Sequence, residues 1–126
     1  MPGQSSRLAG LRVLIVEDEF MVAIHVETLL EDFGCEVVGI AATVDDALAL
    51  VRSERLDGVL LDGNLNGDSS APVAAELSAR SIPFVLATGY GRLDLDDACL
   101  NSAPRLAKPF GIAAFEKMLT ETFCPA

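Results

Sequence analysis

Short apolar runs alternate along this chain with stretches in which apolar residues recur at helical spacing. The apolar runs are rich in β-branched residues, and the stretches between them repeat apolar side chains every three to four positions. Strands that alternate with helices in this way form parallel βαβ units. The pattern therefore predicts an α/β fold in which helices cover both faces of a five-stranded parallel sheet. The predicted strands cover residues 11–16, 36–41, 58–62, 83–87 and 105–107.

Local signals place the ends of several elements. Gly34 is expected to end the first helix as a C-terminal cap, and Thr43 with Asp46 is spaced as a capping box for the second. Residues 64–68, which include Gly67, are predicted to form a loop. The predicted helices cover residues 22–33, 43–51, 70–80, 89–101 and 112–123, and the fourth is the least regular of them.

Composition narrows the class of protein. The chain has 126 residues, just over half of them hydrophobic, which suits one globular domain. We expect residues 1–10 to be disordered or extended and the domain to cover 11–124. The net charge is −10, and the nine basic residues form no run. This charge argues against nucleic acid and membrane surfaces as partners, because both attract clustered Lys and Arg.

The cysteines and the hydropathy pattern predict where the protein works. Its three cysteines are widely spaced and include no CxxC pair, which is typical of a reducing compartment and of packed, metal-free thiols. The polar start of the chain does not resemble a signal peptide, and no apolar run reaches the roughly 20 residues that a membrane span needs. We therefore expect a soluble, cytoplasmic protein.

Polar side chains follow four of the predicted strands. Glu17 and Asp18 follow the first, Asp62 ends the third, Thr88 follows the fourth and Lys108 follows the fifth. Right-handed crossovers bring the carboxyl ends of parallel strands to one edge of the sheet, where ligands bind in open α/β folds. Each residue alone has a simpler explanation, such as a helix cap, a solvated first turn or a surface charge. Their combination at successive strand ends favours a shared site.

This set of residue types suits phosphoryl transfer. Three neighbouring carboxylates repel one another unless a cation lies between them, and Mg²⁺ prefers such oxygen ligands together with phosphate oxygens. Asp62 could then act as a nucleophile toward a phosphoryl donor. Lys108 would neutralise charge on the transferring group, and Thr88 would donate a hydrogen bond to one of its oxygens.

The chain resembles the receiver domains of two-component response regulators over nearly its whole length. The motifs that carry the resemblance are VLIVEDE at 13–19, VLLDGNL at 59–65, ATG at 87–89 and LAKPF at 106–110. The family implies a flavodoxin-like sheet in the strand order 2-1-3-4-5 and phosphorylation at Asp62. It also implies Mg²⁺ held by Asp18, Asp62 and the backbone carbonyl of Asn64, with Glu17 acting mainly through water on the metal. A cis peptide before Pro109 would aim Lys108 at the phosphoryl group.

Two positions depart from the usual family pattern. Arg105 stands three residues before Lys108, where the family usually has a switch aromatic. The stretch 82–91 partly resembles variant receivers with a Phe-Ala-Thr-Gly-any-Tyr signature, although Leu86 replaces the Phe and Tyr90 comes one place early. Members of that group are often single-domain and pair with histidine kinases of the HWE or related class. Tyr90 is therefore the candidate switch residue.

Three other functions fit the residues less well. A haloacid-dehalogenase-like hydrolase needs a second Asp two residues after its nucleophile, and Asn64 stands there. A flavodoxin-type module would need a phosphate loop where Glu17 and Asp18 lie. A receiver-like module that only binds partners would not need an intact acidic site. We expect a stand-alone receiver, not an enzyme, without an output domain, phosphorylated by a histidine kinase. Output by protein contact, by competition for phosphoryl groups or through a phosphotransferase in a phosphorelay stays open, as does a homodimer.

Overall fold

The fold is an α/β sandwich of eleven described elements. The computed structural model describes residues 8–65, 67–88, 105–107 and 111–124, and at 64, 68, 88 and 105–107 it describes the backbone alone. In chain order the elements are β1 (Arg12–Val16), α1 (Phe20–Asp32), β2 (Glu36–Ala41), α2 (Val44–Ser53), β3 (Gly58–Asp62), β4 (Asn64–Leu65), β5 (Asp68–Ser69), α3 (Ala71–Ala79), β6 (Phe84–Thr88), β7 (Arg105–Ala107) and α4 (Ile112–Phe123).

Five of the strands form one parallel sheet in the order β2-β1-β3-β6-β7. Counting only these five strands along the chain, this is the predicted order 2-1-3-4-5, which is therefore confirmed. β3 lies at the centre, and all five of its residues are buried. The last residue of β3, Asp62, pairs with Ala87 of β6, whereas Val16 at the end of β1 pairs with Leu61. The carboxyl ends of the three central strands consequently lie side by side.

The core has two layers, one on each face of the sheet, because successive residues of a strand point to opposite faces. In β1, Val13 and Ile15 pack with α1 and α4, whereas Leu14 and Val16 pack with α2 and α3. The same alternation continues in β3, where Leu60 joins the first layer and Leu61 the second. Helices therefore cover both faces, as the apolar strands predict.

Two of the predicted helix caps lie where the sequence places them, one at the end of α1 and one at the start of α2. α1 ends at Asp32, and Gly34 takes a left-handed conformation with φ 89°, which only glycine adopts without strain. Thr43 caps α2, since its hydroxyl accepts a hydrogen bond from the backbone N–H of Asp46 at 3.1 Å. The predicted final helix over 112–123 is confirmed, and the predicted helix within 89–101 lies outside the described residues.

The packed domain begins earlier than predicted. Residues 8–10 form a turn, and the Leu8 side chain is completely buried in the layer that contains α1 and α4. The N–H of Gly10 donates to the carbonyl of Gly34 at 2.8 Å, and the Cys35 thiol donates to the carbonyl of Leu8 at 3.4 Å. Burial raises the pKa of Cys35 from 9.0 to about 11, and the neighbouring Cys124 adds to the shift. Residues 8–10 thus belong to the domain, not to the predicted N-terminal segment.

The predicted loop over 64–68 is only partly correct. β4 and β5 form a short antiparallel ladder in this stretch, pairing Asn64 with Ser69 and Leu65 with Asp68. Gly67 lies at its tip with φ 91°.

Among the described residues, no helix combines the length and apolar character that crossing a membrane would need.

Candidate acidic site

The candidate site lies at the carboxyl ends of β1 and β3. β1 continues its ladder one residue further, since the N–H of Glu17 donates to the carbonyl of Ala41 at 2.9 Å. This continuation carries Glu17 alongside Asp62, because the preceding residues Val16 and Leu61 are paired. Asp18 then lies in the bend that leads into α1. The local geometry of two adjacent parallel strands therefore assembles the three carboxylates.

The three carboxylates converge on one point. One oxygen from each of Glu17, Asp18 and Asp62 lies within 4.8 Å of the others. Glu17 is 4% exposed and Asp62 is 9% exposed, whereas Asp18 is half-buried. Charges this close and this poorly hydrated repel strongly, and a hard divalent cation that takes oxygen ligands relieves the repulsion. The donor set and its spacing therefore fit a magnesium ion.

Backbone contacts orient the innermost carboxylate. The N–H of Glu19 donates to Oε2 of Glu17 at 3.1 Å. Glu19 is also the N-cap residue of α1, so the Glu17 carboxylate lies near the positive end of that helix. This hydrogen bond holds the buried Glu17 in place as part of the site.

A narrow apolar cleft continues from the acidic site into the layer between the sheet and the two helices α1 and α4. Glu17 and Asp62 supply its polar groups. The remaining lining is apolar: Ile15, Val16, Val22, Val26, Leu60, Val85, Ala87 and Phe115. A low-dielectric wall strengthens every electrostatic interaction at the carboxylates. The Asp62 side chain thus lies between the other acidic residues of the site and the apolar lining of the cleft.

The other predicted site residues are only partly described. Thr88 ends β6 beside Ala107, which places its backbone at the same sheet edge as Asp62. Asn64 lies two residues beyond Asp62, in the first position of β4. Tyr90, Lys108 and Pro109 lie outside the described residues.

Four exposed apolar side chains, here called the apolar rim, were not predicted from the sequence. Within the described ranges, every exposed large hydrophobic side chain lies in the first two turns of α1 or at the start of α4: Phe20, Met21, Ile24 and Ile112. Phe20 and Met21 are 71% and 77% exposed. Both residues lie off the buried stripe that continues through Ala23 and Val26. That departure from amphipathic spacing was the available signal.

The doubly wound parallel sheet with three converging acidic residues at its carboxyl edge is the architecture that the resemblance to receiver domains predicts. Comparison with known proteins agrees, since the response regulator receiver domain family matches residues 13–120. The chain belongs to this family, the receiver domains of two-component signal transduction.

Individual relatives extend the comparison. The chain is 30% identical over 105 residues to the transcriptional regulatory protein PdtaR of Mycobacterium tuberculosis, covering 81% of this chain and 51% of PdtaR. It therefore spans about half the length of that curated relative. The solution structure of SdrG from Sphingomonas melonis Fr1 is 41% identical, with a TM-score of 0.78, and the match covers 88% of this chain and 94% of SdrG.

A further similar solved structure contains a bound magnesium ion. It is the receiver domain of the sensor histidine kinase PA1611 from Pseudomonas aeruginosa, which holds a magnesium ion in its active site cleft. Its identity to this chain is 26% and its TM-score is 0.77, with coverage of 90% of this chain and 97% of that domain.

Proposed function

We propose that Asp62 accepts a phosphoryl group from a histidine kinase, with Mg²⁺ held by Asp18, Asp62 and the backbone carbonyl of Asn64. The observation that carries this proposal is the convergence of three carboxylates within 4.8 Å at the end of the central strand. Glu17, which its hydrogen bond from Glu19 holds in the site, adds negative charge and a water-mediated contact. No other group of three or more potential metal ligands occurs among the described residues.

The transfer itself needs little protein chemistry beyond positioning. A carboxylate oxygen of Asp62 attacks the phosphorus, the P–N bond to the donor imidazole breaks, and the imidazole keeps the electron pair and takes up a proton. The product is an acyl phosphate on Asp62. When bound, Mg²⁺ neutralises charge on the phosphoryl oxygens. The ladder to β6 fixes the backbone of Asp62, and burial to 9% exposure restricts the freedom of its side chain, so little ordering of the nucleophile is left for the transfer step.

We assign the response to phosphorylation to residues around the carboxyl ends of β6 and β7. Thr88 would donate a hydrogen bond to a phosphoryl oxygen, and Lys108, aimed by a cis peptide at Pro109, would pair with its charge. Tyr90 would take the part that an aromatic plays at the position of Arg105 in ordinary receivers. The apolar slot of that aromatic would not take a guanidinium without a large desolvation cost.

The apolar rim supports a protein as the phosphoryl donor and as the receiver of the signal. Phe20 and Met21 are exposed two and three residues after Asp18, and the nucleophile Asp62 is almost buried, so a partner that delivers a phosphohistidine would contact them. A histidine kinase, including one of the HWE type, has this chemistry, and so does a phosphotransferase. Signalling then proceeds by protein contact in a phosphorelay.

The direct test is phosphorylation by a small donor. Incubation with phosphoramidate and Mg²⁺ should add one phosphoryl mass to the wild type, detected by intact mass spectrometry, and Asp62→Asn should add none. Asp45→Asn is the matched control, since Asp45 is exposed at the start of α2. Full phosphorylation of Asp62→Asn would overturn the proposal. No phosphorylation of the wild type would instead favour a domain that only binds partners.

A further inference from the structure

We infer that the β4–β5 hairpin is a positioning element for the cation, and that Leu65 and Gly67 hold its register so that the backbone carbonyl of Asn64 faces the site. This inference rests on the proposed function, because it concerns the affinity of the same cation site. It assigns a role to two residues that contribute no ligand themselves.

One hydrogen bond at the base of the hairpin shows which of its residue pairs are hydrogen-bonded. The N–H of Ser70 donates to the carbonyl of Gly63 at 3.2 Å, just outside the pair Asn64–Ser69. In an antiparallel ladder this pattern makes Asn64–Ser69 a non-hydrogen-bonded pair and Leu65–Asp68 the hydrogen-bonded one. The ladder therefore leaves the carbonyl of Asn64 directed away from β5, whereas it uses the carbonyl of Leu65.

A shift of the hairpin by one residue would reverse these roles. The carbonyl of Asn64 would then be used by the ladder, and the next carbonyl along the chain would turn away from β5. Asn64 lies two residues after Asp62, at the start of the hairpin, and only the observed register leaves its carbonyl oxygen unused by the ladder. The affinity for a divalent cation should accordingly depend on whatever holds this register.

Leu65 and Gly67 hold the register of the hairpin. Leu65 is 1% exposed and packs in the layer with α2 and α3, which anchors one strand of the hairpin to the core. Gly67 lies in the tight turn with φ 91°, a conformation that strains any residue with a Cβ atom. The space around Gly67 is open, since a Cβ atom built there would meet nothing within 4 Å. A substitution at Gly67 therefore perturbs the turn without disturbing the core.

The experiment measures Mg²⁺ binding by titrating the metal alone into each ¹⁵N-labelled protein and following backbone NMR shifts at Asp18 and Gly63. Leu65→Ala is compared with Leu77→Ala, because Leu77 is fully buried in the same layer but lies two turns into α3. Gly67→Ala is compared with Gly10→Ala, because Gly10 has φ 85° and equally open surroundings at the N-terminal turn. Each pair matches the chemical change and differs in its distance from the hairpin.

We expect Leu65→Ala and Gly67→Ala each to weaken Mg²⁺ binding by about tenfold, the loss typical of residues that orient metal ligands. Leu77→Ala and Gly10→Ala should stay within about twofold of the wild type. Should Leu65→Ala fail to fold, the glycine pair still decides the question. Equal affinities within both pairs overturn the role of the hairpin while the wild type still binds. Absence of Mg²⁺ binding by the wild type overturns the proposed cation site itself.

Discussion

At the scale of single residues, repulsion within the acidic site lowers the free energy of unfolding. Glu17, Asp18 and Asp62 place three negative charges within 4.8 Å in a poorly hydrated cleft, and each would be better solvated apart. A folded protein retains such an arrangement at the cost of its own free energy of unfolding, and a bound cation restores that energy. The effect of this repulsion on the free energy of unfolding can therefore be measured without any kinase.

Asp18→Asn should separate the two effects. Without divalent cations the free energy of unfolding of the variant should exceed that of the wild type by an amount on the order of 1 kcal/mol, because one repulsive charge is removed. The variant should therefore unfold at a higher temperature. With millimolar Mg²⁺ the wild type should gain stability and the variant should gain little. Thermal unfolding followed by circular dichroism gives both values. A variant that Mg²⁺ stabilises as much as the wild type would remove Asp18 from the cation site.

Two N-cap residues make a matched pair for a second prediction. The hydroxyl of Thr43 accepts a hydrogen bond from Asp46 N–H, whereas Ser70 makes no side-chain cap bond and its buried hydroxyl has no hydrogen-bond partner within the described residues. Thr43→Ala should cost about 1 kcal/mol of unfolding free energy, and Ser70→Ala should be neutral or stabilising by up to about 1 kcal/mol. Urea unfolding measures both. A larger loss at Ser70 than at Thr43 would contradict this account of the caps.

At the scale of elements, α1 serves two functions at once. Its inner face buries Ala23, Val26, Leu29 and Leu30 against the sheet, and its first turn presents Phe20 and Met21 to solvent beside the acidic site. A helix needs only its inner stripe for packing, so the exposed pair contributes little to the fold. The first turn is therefore free to be used for contacts with partners.

Phe20→Ala should distinguish a protein donor from a small one. Phosphorylation by phosphoramidate should be unchanged, because Phe20 is 71% exposed and contributes no oxygen ligand. Transfer from an autophosphorylated histidine kinase that phosphorylates the wild type should slow by about tenfold or more, as expected for an aromatic anchor in an interface. Glu31→Ala, at the exposed far end of α1, is the control. Equal slowing with both donors would place the defect in the site instead of the interface.

At the scale of the whole molecule, α4 closes the layer that contains the cleft. Phe115 at its start lines the cleft, and Phe123 at its end packs over Gly58, the first residue of β3. A Cβ atom at position 58 would lie 2.6 Å from the Phe123 ring, which is too close for any side chain. The absence of a side chain at Gly58 therefore lets the end of α4 pack against the central strand.

Gly58→Ala should destabilise the protein by about 1–3 kcal/mol, because the Phe123 ring must move out of a close-packed layer. Gly39→Ala is the control, since Gly39 also lies in a strand and its nearest neighbour would be at an ordinary 3.5 Å. Chemical denaturation gives the two free energies. If both substitutions cost the same, the contact with Phe123 does not limit how α4 packs.

Apart from the strand order, which the resemblance to receiver domains implied, the amino-acid sequence by itself determined the five strands of the parallel sheet, the described helices and the identity of the acidic residues. These follow from the spacing of apolar residues and from polar residues at strand ends, which are properties of neighbouring positions. The hairpin after Asp62 was also within reach, because Asn66-Gly67 is a strong signal for a two-residue turn.

Tertiary structure alone decided three further features. The burial of Leu8 depends on Gly34 and Cys35, which are distant in sequence. The exposure of Phe20 and Met21 depends on how α1 is rotated against the sheet. The separation of the three carboxylates depends on the register between β1 and β3. Each is a relation between remote segments, which is set when the two layers pack together and cannot be read from local spacing.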